Sequence, residues 1–383
     1  MKILLFGTIS GQGGIQSHLR WLAKALVKSQ QEVLIITPQP LTNNGFNWDE
    51  ANNIGVQVHQ LNSDQFKSSN YLTKTIIQLR ELAQVVRNFN PDVYFGVGTS
   101  WYLSLLPWLF PKKTRSVFHE VMPGLGGRWR DSRWGVKWWF DDVVGQSSCV
   151  ALNFAENFRW SKPVPAIPEP LEITAKLPQP TVKKVEFGTA KAALFSRLVP
   201  WKKALWLVQQ WNDLKDVLGE LHIHGTGPEE ALIKEYIEAQ GIGDRVKCFG
   251  YYPEGQVYVD LLSSYDLTLL PTVGPEGTPL VLLESMACGV PFVAYGVGGI
   301  PDYGIDNPNV IVVPPEPWLT DQAREYAVGN KSQKTTAFME GIKRMAHKLA
   351  RGEINQVQLQ QLYLEKYSYE VLKKAWLSYL CDK

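Results

Sequence analysis

GPEGTPLVLLESMACGVPFVAYGVGG, residues 274–299, carries two kinds of local signal in one stretch. Thr278 as N-cap, Pro279 at the first helical position, an apolar run and Gly289 just past its end predict a helix over about 279–288. Pro291 then opens a short β-rich run, Phe292 to Ala294, which leads to the turn holding Gly298 and Gly299. A helix feeding a short buried strand is the repeating unit of a parallel sheet covered by helices on both faces.

The same alternation extends in both directions. Upstream lie the runs Ala192 to Ser196, Leu221 to His224, Val246 to Phe249 and Leu267 to Leu270, with helical period through Ala204 to Val217 and from Glu229. Further back it is found in Lys2 to Thr8, Ile15 to Lys28, Val33 to Thr37 and Asp92 to Gly96. Between Pro163 and Pro180 the prolines crowd and helical period is lost, which marks a boundary. The expected fold class is α/β, two doubly wound Rossmann-like domains facing across a cleft at the carboxyl ends of their strands. The expected divisions are an N-terminal domain over 1–165, a proline-rich linker over 166–185 and a C-terminal domain over 186–365. A C-terminal helix over 366–383 is expected to pack back on the first domain.

Bulk properties agree with two ordinary cores. The chain has 383 residues, 45% hydrophobic and 20% charged, a globular composition. A formal net charge of +2 excludes a polyelectrolyte surface, so nucleic acid is not an expected partner. Four scattered cysteines indicate neither a zinc motif nor a disulfide framework and fit a cytoplasmic protein. The opening MKILLFGTISGQGG reads as a buried strand rather than a signal-peptide core. The apolar stretch Trp101 to Phe110 is broken by Pro107 and is about half the ~20 residues of a membrane-spanning helix.

Chemistry concentrates around the quoted stretch. The amino end of the helix after Thr278 is suited to an anion. Glu284, inside an otherwise apolar helix, needs a partner; vicinal hydroxyls of a ribose or a basic neighbour would serve. Glu276 adds a second carboxylate eight positions earlier, otherwise readable as a solvated loop charge. Arg197, Lys202 and Lys203 follow a strand, where two cations can neutralise a diphosphate leaving group or simply be solvated. Gly225, Thr226, Gly227 and Pro228 form a strand-to-helix turn of a kind found beside nucleotides and in many other turns. Gly13 and Gly14 make a degenerate dinucleotide fingerprint, but Thr37 and Pro38 stand where an acid should end the second strand, which disfavours a nicotinamide enzyme. No Asp-X-Asp triplet occurs, and Asp141 and Asp142 sit among residues that read as helix, so no metal site is expected.

Together these residues resemble the retaining nucleotide-sugar glycosyltransferases of family 4, which have the two-Rossmann GT-B fold. The resemblance covers nearly the whole chain, and the paired glutamates followed by Ala287-Cys288-Gly289, Val290 and Pro291 are its most specific part. It implies that Glu284 binds the ribose and Glu276 the hydroxyls of the donor sugar. Gly277, Thr278, Pro279 and Leu280 would face the sugar and distal phosphate, and Arg197 and Lys202 would stabilise the diphosphate. Gly225 and Gly227 would lie near the nucleotide, and Gly14 near the diphosphate and acceptor. His119, at the end of a strand Arg115 to Phe118, would project toward the donor sugar. Lys203 stands where glycine is usual, Asp302 where glutamate is commoner and Glu120 where aspartate is frequent; the first departure puts the local turn in question.

The function so implied is retaining transfer of a sugar from a nucleoside-diphosphate sugar to a hydroxyl acceptor, such as a cell-envelope glycan or glycolipid, with no cofactor. A sugar-nucleotide epimerase and a catalytically idle glycan-binding subunit are the alternatives. Residues 126–140, GGRWRDSRWGVKWWF, interleave Arg128, Arg130, Arg133 and Lys137 with Trp129, Trp134, Trp138 and Trp139. Such a segment suits a peripheral place on the inner face of a membrane, an acceptor site, or a tryptophan-rich core edge.

Overall fold

The structure, a computed structural model, describes residues 1–9, 14–38, 48–61, 71–126, 131–274, 276–315 and 336–382. The chain forms two compact units, Met1–Pro170 with Leu372–Lys383, and Leu171–Val371.

The first unit is built on six parallel strands: β1 (Lys2–Phe6), β2 (Glu32–Thr37), β3 (Gln57–Gln60), β4 (Val93–Val97), β5 (Arg115–Glu120) and β6 (Asp142–Gly145). Their order is β3-β2-β1-β4-β5-β6. Helices α1 (Gly14–Lys28), α2 (Trp48–Ile54), α3 (Tyr71–Phe89), α4 (Trp101–Leu105), α5 (Val136–Trp139) and α6 (Ser148–Asn157) connect or flank them. Successive strand residues alternate between two buried faces. Leu4, Phe6, Leu34, Ile36, Tyr94 and Phe118 share one core, while Ile3, Leu5, Val33, Ile35, Phe95 and Val117 are buried on the other face. Burial on both faces is why these strands read as continuous apolar runs rather than as alternating ones.

The second unit repeats the plan. Its strands are β7 (Lys191–Phe195), β8 (Glu220–His224), β9 (Val246–Gly250), β10 (Leu267–Leu270), β11 (Phe292–Tyr295) and β12 (Ile311–Val313). The order β12-β11-β10-β7-β8-β9 is the same topology read from the other edge, all parallel. Helices α7 (Ala204–Gln209), α8 (Trp211–Leu214), α9 (Glu230–Ala239), α10 (Gly255–Ser263), α11 (Leu280–Ala287) and α12 (Pro301–Gly304) follow, then Ala337–Arg351 and Gln356–Lys366. In each sheet the chain reverses its direction of travel between two neighbouring strands, β1 and β4 or β7 and β10. The carboxyl ends at such a switch point form the crevice where open α/β sheets hold ligands.

The last helix, Tyr369–Cys381, joins the first unit from Leu372 onward. Trp376 is fully buried there and donates from Nε1 to the Pro168 carbonyl at 2.9 Å, while Arg115 donates to the Tyr379 carbonyl at 2.8 Å. No helix among the described residues is long and apolar enough to cross a membrane.

Several local readings are corrected. Asp142 opens strand β6 rather than lying in a helix; the preceding helix is only the single turn Val136–Trp139. The helical segment 204–217 is broken at Gln210 into α7 and α8. The helix at 280–287 is capped by Pro279 in an extended conformation, and the Thr278 hydroxyl is buried without capping it. Its far end is as read: Gly289 has φ 71° and donates to the Met286 carbonyl, while Val290 donates to that of Ser285, the double-bonded glycine stop. Gly13, Arg128, Trp129 and Arg130 lie outside the described residues.

Candidate functional site

The residues singled out in the second unit gather at its switch point. After β7 the chain makes a single turn at Pro200–Lys202, and Lys203 takes the left-handed conformation at φ 58° before α7 begins. The turn is therefore one a glycine would favour, kept here by a lysine at a cost of roughly 1–2 kcal/mol. It aims Lys202 at the loop after β10, where its Nζ stands 2.7 Å from Glu276 Oε1. Both side chains are largely buried, and the same carboxylate oxygen accepts from Thr272 Oγ1 at 2.7 Å. The loop is held against the β7 turn, with Val273 donating to the Trp201 carbonyl at 2.9 Å and Gly274 packed on the Trp201 ring. On its other side Gly298, at φ 58°, lies so close to the Glu276 carbonyl that no Cβ would fit, and Gly299 donates to Gly277 O at 2.7 Å.

Helix α11 starts directly beyond this loop, so the backbone of Gly277, Thr278, Pro279 and Leu280 lies at its amino end. Glu284, one turn further on, is half-buried among fully buried neighbours of the same helix. Its Oε2 accepts from the Tyr258 hydroxyl at 2.6 Å. Burial raises its pKa, and the tyrosine bond opposes that rise. The partner demanded by a carboxylate in this helix is thus a phenol of α10, rather than a basic neighbour.

Gly225 and Gly227 serve first to bring two loops together. Ser196 donates to His224 O at 3.1 Å and Leu198 to Thr226 O at 2.8 Å, continuing the β7–β8 pairing past the sheet. A Cβ at Gly225 or Gly227 would overlap the carbonyl oxygens of Ser196 and Leu198. Gly225 also donates to Gly250 O at 2.7 Å, which engages one carbonyl of the 250–253 loop. Arg197, between the zipped residues, is exposed, with no ion pair among the described residues.

In the first unit the outcome differs. His119 lies within β5, not beyond its end, and is fully buried. Its ring faces His18 at 4.7 Å and Trp376 at 4.8 Å, so it does not project outward. Glu120 accepts from Arg133 at 3.2 Å and from the Met122 amide at 2.8 Å; burial nevertheless pushes its pKa up to about 7. Arg133 also binds Asp131 at 2.6 Å and is buried, which removes it from any basic surface. Trp134 packs on Phe158 at 5.1 Å as part of the core edge. Trp138, by contrast, is 72% exposed beside exposed Lys137, and Trp108 is 77% exposed. Gly14 opens α1 with Glu169 against it.

Sequence reading missed Tyr258, Thr272, His18 and Glu169. Thr272 lies four residues before Glu276 at the end of an apolar strand, a signal that was available. Tyr258 reaches Glu284 across two helices and leaves no local trace.

Residues 190–327 match the family model described as Glycosyl transferases group 1. A stretch of 116 residues is 28% identical to 2-deoxystreptamine N-acetyl-D-glucosaminyltransferase of Streptomyces fradiae, covering 29% of this chain and 27% of that protein. Another of 87 residues is 40% identical to N-acetyl-alpha-D-glucosaminyl L-malate synthase of Bacillus anthracis, covering 23% and 22%. The matched stretches thus span about a quarter of these relatives. The Anabaena Alr3699/HepE structure in complex with UDP has a TM-score of 0.68 and 17% identity over 100% of both chains, a likeness of fold. The second unit carries a glycosyl transferases group 1 domain, and the chain has the GT-B fold.

Proposed function

We propose that this chain, with its glycosyl transferases group 1 domain, moves a sugar from a nucleoside-diphosphate sugar to a hydroxyl acceptor, retaining the anomeric configuration and using neither metal nor cofactor. The observation that carries the reading is the contact between Glu276 and Lys202 at the β7/β10 switch point, in the loop that leads into the helix bearing Glu284. Glu276 orients the sugar through its hydroxyls, and Lys202 with Arg197 neutralises the diphosphate as its charge grows. Glu284 holds the ribose, and the amino end of α11 faces the distal phosphate. The acceptor oxygen attacks the anomeric carbon on the face from which the diphosphate leaves. The carbon–oxygen bond to phosphate breaks, and the acceptor's proton passes to the departing phosphate oxygen. His119, enclosed beneath Trp376, is given no part in these steps.

The UDP of the Anabaena structure makes UDP-activated sugars the first donors to assay. The acceptor class is a glycan, lipid-linked or small-molecule hydroxyl. Exposed Trp138, Lys137 and Trp108 suit a place at the cytoplasmic face of a membrane, where indole rings settle at head-group level and lysines meet anionic lipid. Incubation with donor and acceptor in EDTA, with the product's anomeric proton followed by NMR, tests the reading. It predicts release of nucleoside diphosphate and a product of unchanged anomeric configuration. Inversion, a strict metal requirement, or conversion of the donor sugar without acceptor would each contradict it, the last identifying an epimerase.

A further inference from the structure

Beneath the C-terminal helix, two imidazoles and a carboxyl meet with most of their polar atoms unpartnered among the described residues. His18 of α1, His119 of β5 and Glu169 of the segment leaving the first unit are all buried. Each can offer one ligand atom such that all three lie within 4.8 Å of one another. Neither nitrogen of either ring, nor Glu169 Oε1, has a hydrogen-bond partner among the described residues. Buried polar groups are seldom left this way, because each forfeits its hydration, and a cluster of three calls for a common partner. Burial lowers the pKa of both histidines, which keeps their rings in the neutral, ligating form. Burial pushes the Glu169 carboxyl up to about 8.

We propose that His18, His119 and Glu169 form a binding site for a divalent transition ion of the zinc class, structural in role and distinct from the sugar-transfer residues. Two imidazoles and one carboxylate are a donor set that borderline ions such as Zn2+ and Co2+ accept, with ligand bonds of about 2.0–2.2 Å. Bonds of that length hold ligand atoms roughly 3.4 Å apart in a tetrahedral site, so binding would draw the three groups in from a spread of up to 4.8 Å. The ion would fasten three distant segments of the chain, those bearing α1, β5 and Glu169. Trp376 closes the cluster, with ring centroids 5.1 Å from His18 and 4.8 Å from His119, and its bond to Pro168 fixes the residue next to Glu169. Burial beside aromatic rings strengthens charge–ligand attraction. The inference is independent of the sugar-transfer reading, since it concerns groups that reading does not use.

The test is metal binding by the full chain, prepared without a polyhistidine tag. The protein is unfolded, refolded with either Zn2+ or Co2+, desalted, and its metal content measured. About one ion per chain is expected, with the visible absorption bands of a low-coordinate cobalt centre. The Zn2+-loaded protein should unfold at a higher temperature than the chelator-treated one. Glu169→Gln and His18→Gln should each weaken binding at least ~10-fold while retaining the native circular dichroism spectrum. Failure of correctly refolded native protein to retain either ion would overturn the proposal, as would retention that both variants leave unchanged. If a variant fails to fold, the native protein's stoichiometry and cobalt spectrum still decide.

Discussion

Lys202 and Glu276 meet at 2.7 Å across the ends of β7 and β10, so that the switch point of the second sheet joins a cation and a carboxylate. Thr272 binds the same carboxylate oxygen and sets its direction. The proposed role of Glu276 is with the sugar and not the base or ribose. Glu276→Ala should therefore lower kcat at least ~100-fold, about 2.7 kcal/mol of transition-state stabilisation, while nucleoside diphosphate affinity changes only a few-fold. Steady-state kinetics beside calorimetric titration check this; equal losses in both quantities contradict the role.

Tyr258 and Glu284 predict a pH dependence. Burial raises the Glu284 pKa and the tyrosine hydrogen bond pulls it back. The charged carboxylate is the form that accepts ribose hydroxyls, so nucleotide affinity should fall as the pH is lowered through that raised value. In Tyr258→Phe the opposing bond is gone, and the pH at which affinity falls should move upward. Titration of nucleotide binding at a series of pH values measures both midpoints. A midpoint that stays put or moves down would remove Tyr258 from the account.

Much of this was readable in the chain, for reasons that differ by element. The buried strands announce themselves because both faces of a parallel sheet exclude water, leaving runs such as Ile3 to Phe6 with no polar interruption. The stop of α11 is readable because only a residue comfortable at positive φ closes a helix as Gly289 does. Arg133 was misread because its neighbours in sequence are basic, while what decides its fate, Glu120, is placed by the fold. His119 was read as a strand end because the last two residues of β5, His119 and Glu120, are polar, yet the aromatic wall of Trp376 comes from the far end of the chain.

Gly225 supplies a stability prediction. Its φ is 136°, and a Cβ would overlap the Ser196 carbonyl where the two loops are zipped together. Gly225→Ala should lower unfolding free energy by roughly 2–5 kcal/mol from backbone strain and overpacking combined. Gly241→Ala, where φ is 61° and a Cβ meets nothing, should cost no more than roughly 1–2 kcal/mol. Chemical denaturation of both variants checks the difference; similar losses contradict the close approach.

His224 supplies another. It is stacked between Phe195 at 4.6 Å and Phe249 at 5.0 Å, and its Nε2 meets the Tyr265 hydroxyl at 2.7 Å. Burial, and then His222, lower its pKa to about 4. The unfolded chain takes up a proton near the ordinary histidine value of 6.5 while the folded chain does not. Its contribution to stability is therefore full above that value and is lost as pH falls from there through about 4. His224→Phe keeps the stack and removes the proton site, so its stability should fall less steeply over that window. Parallel pH curves for the two proteins contradict the assignment.

The central claim is that the second unit holds a nucleoside diphosphate through Glu284. Thermal unfolding with UDP, GDP and ADP, in the native protein and in Glu284→Ala, tests it most directly. One of the three, at about 100 times its dissociation constant, should stabilise the native protein by roughly 2.7 kcal/mol and leave the variant nearly unshifted. No stabilisation by any of them, or an equal shift in the variant, would contradict it.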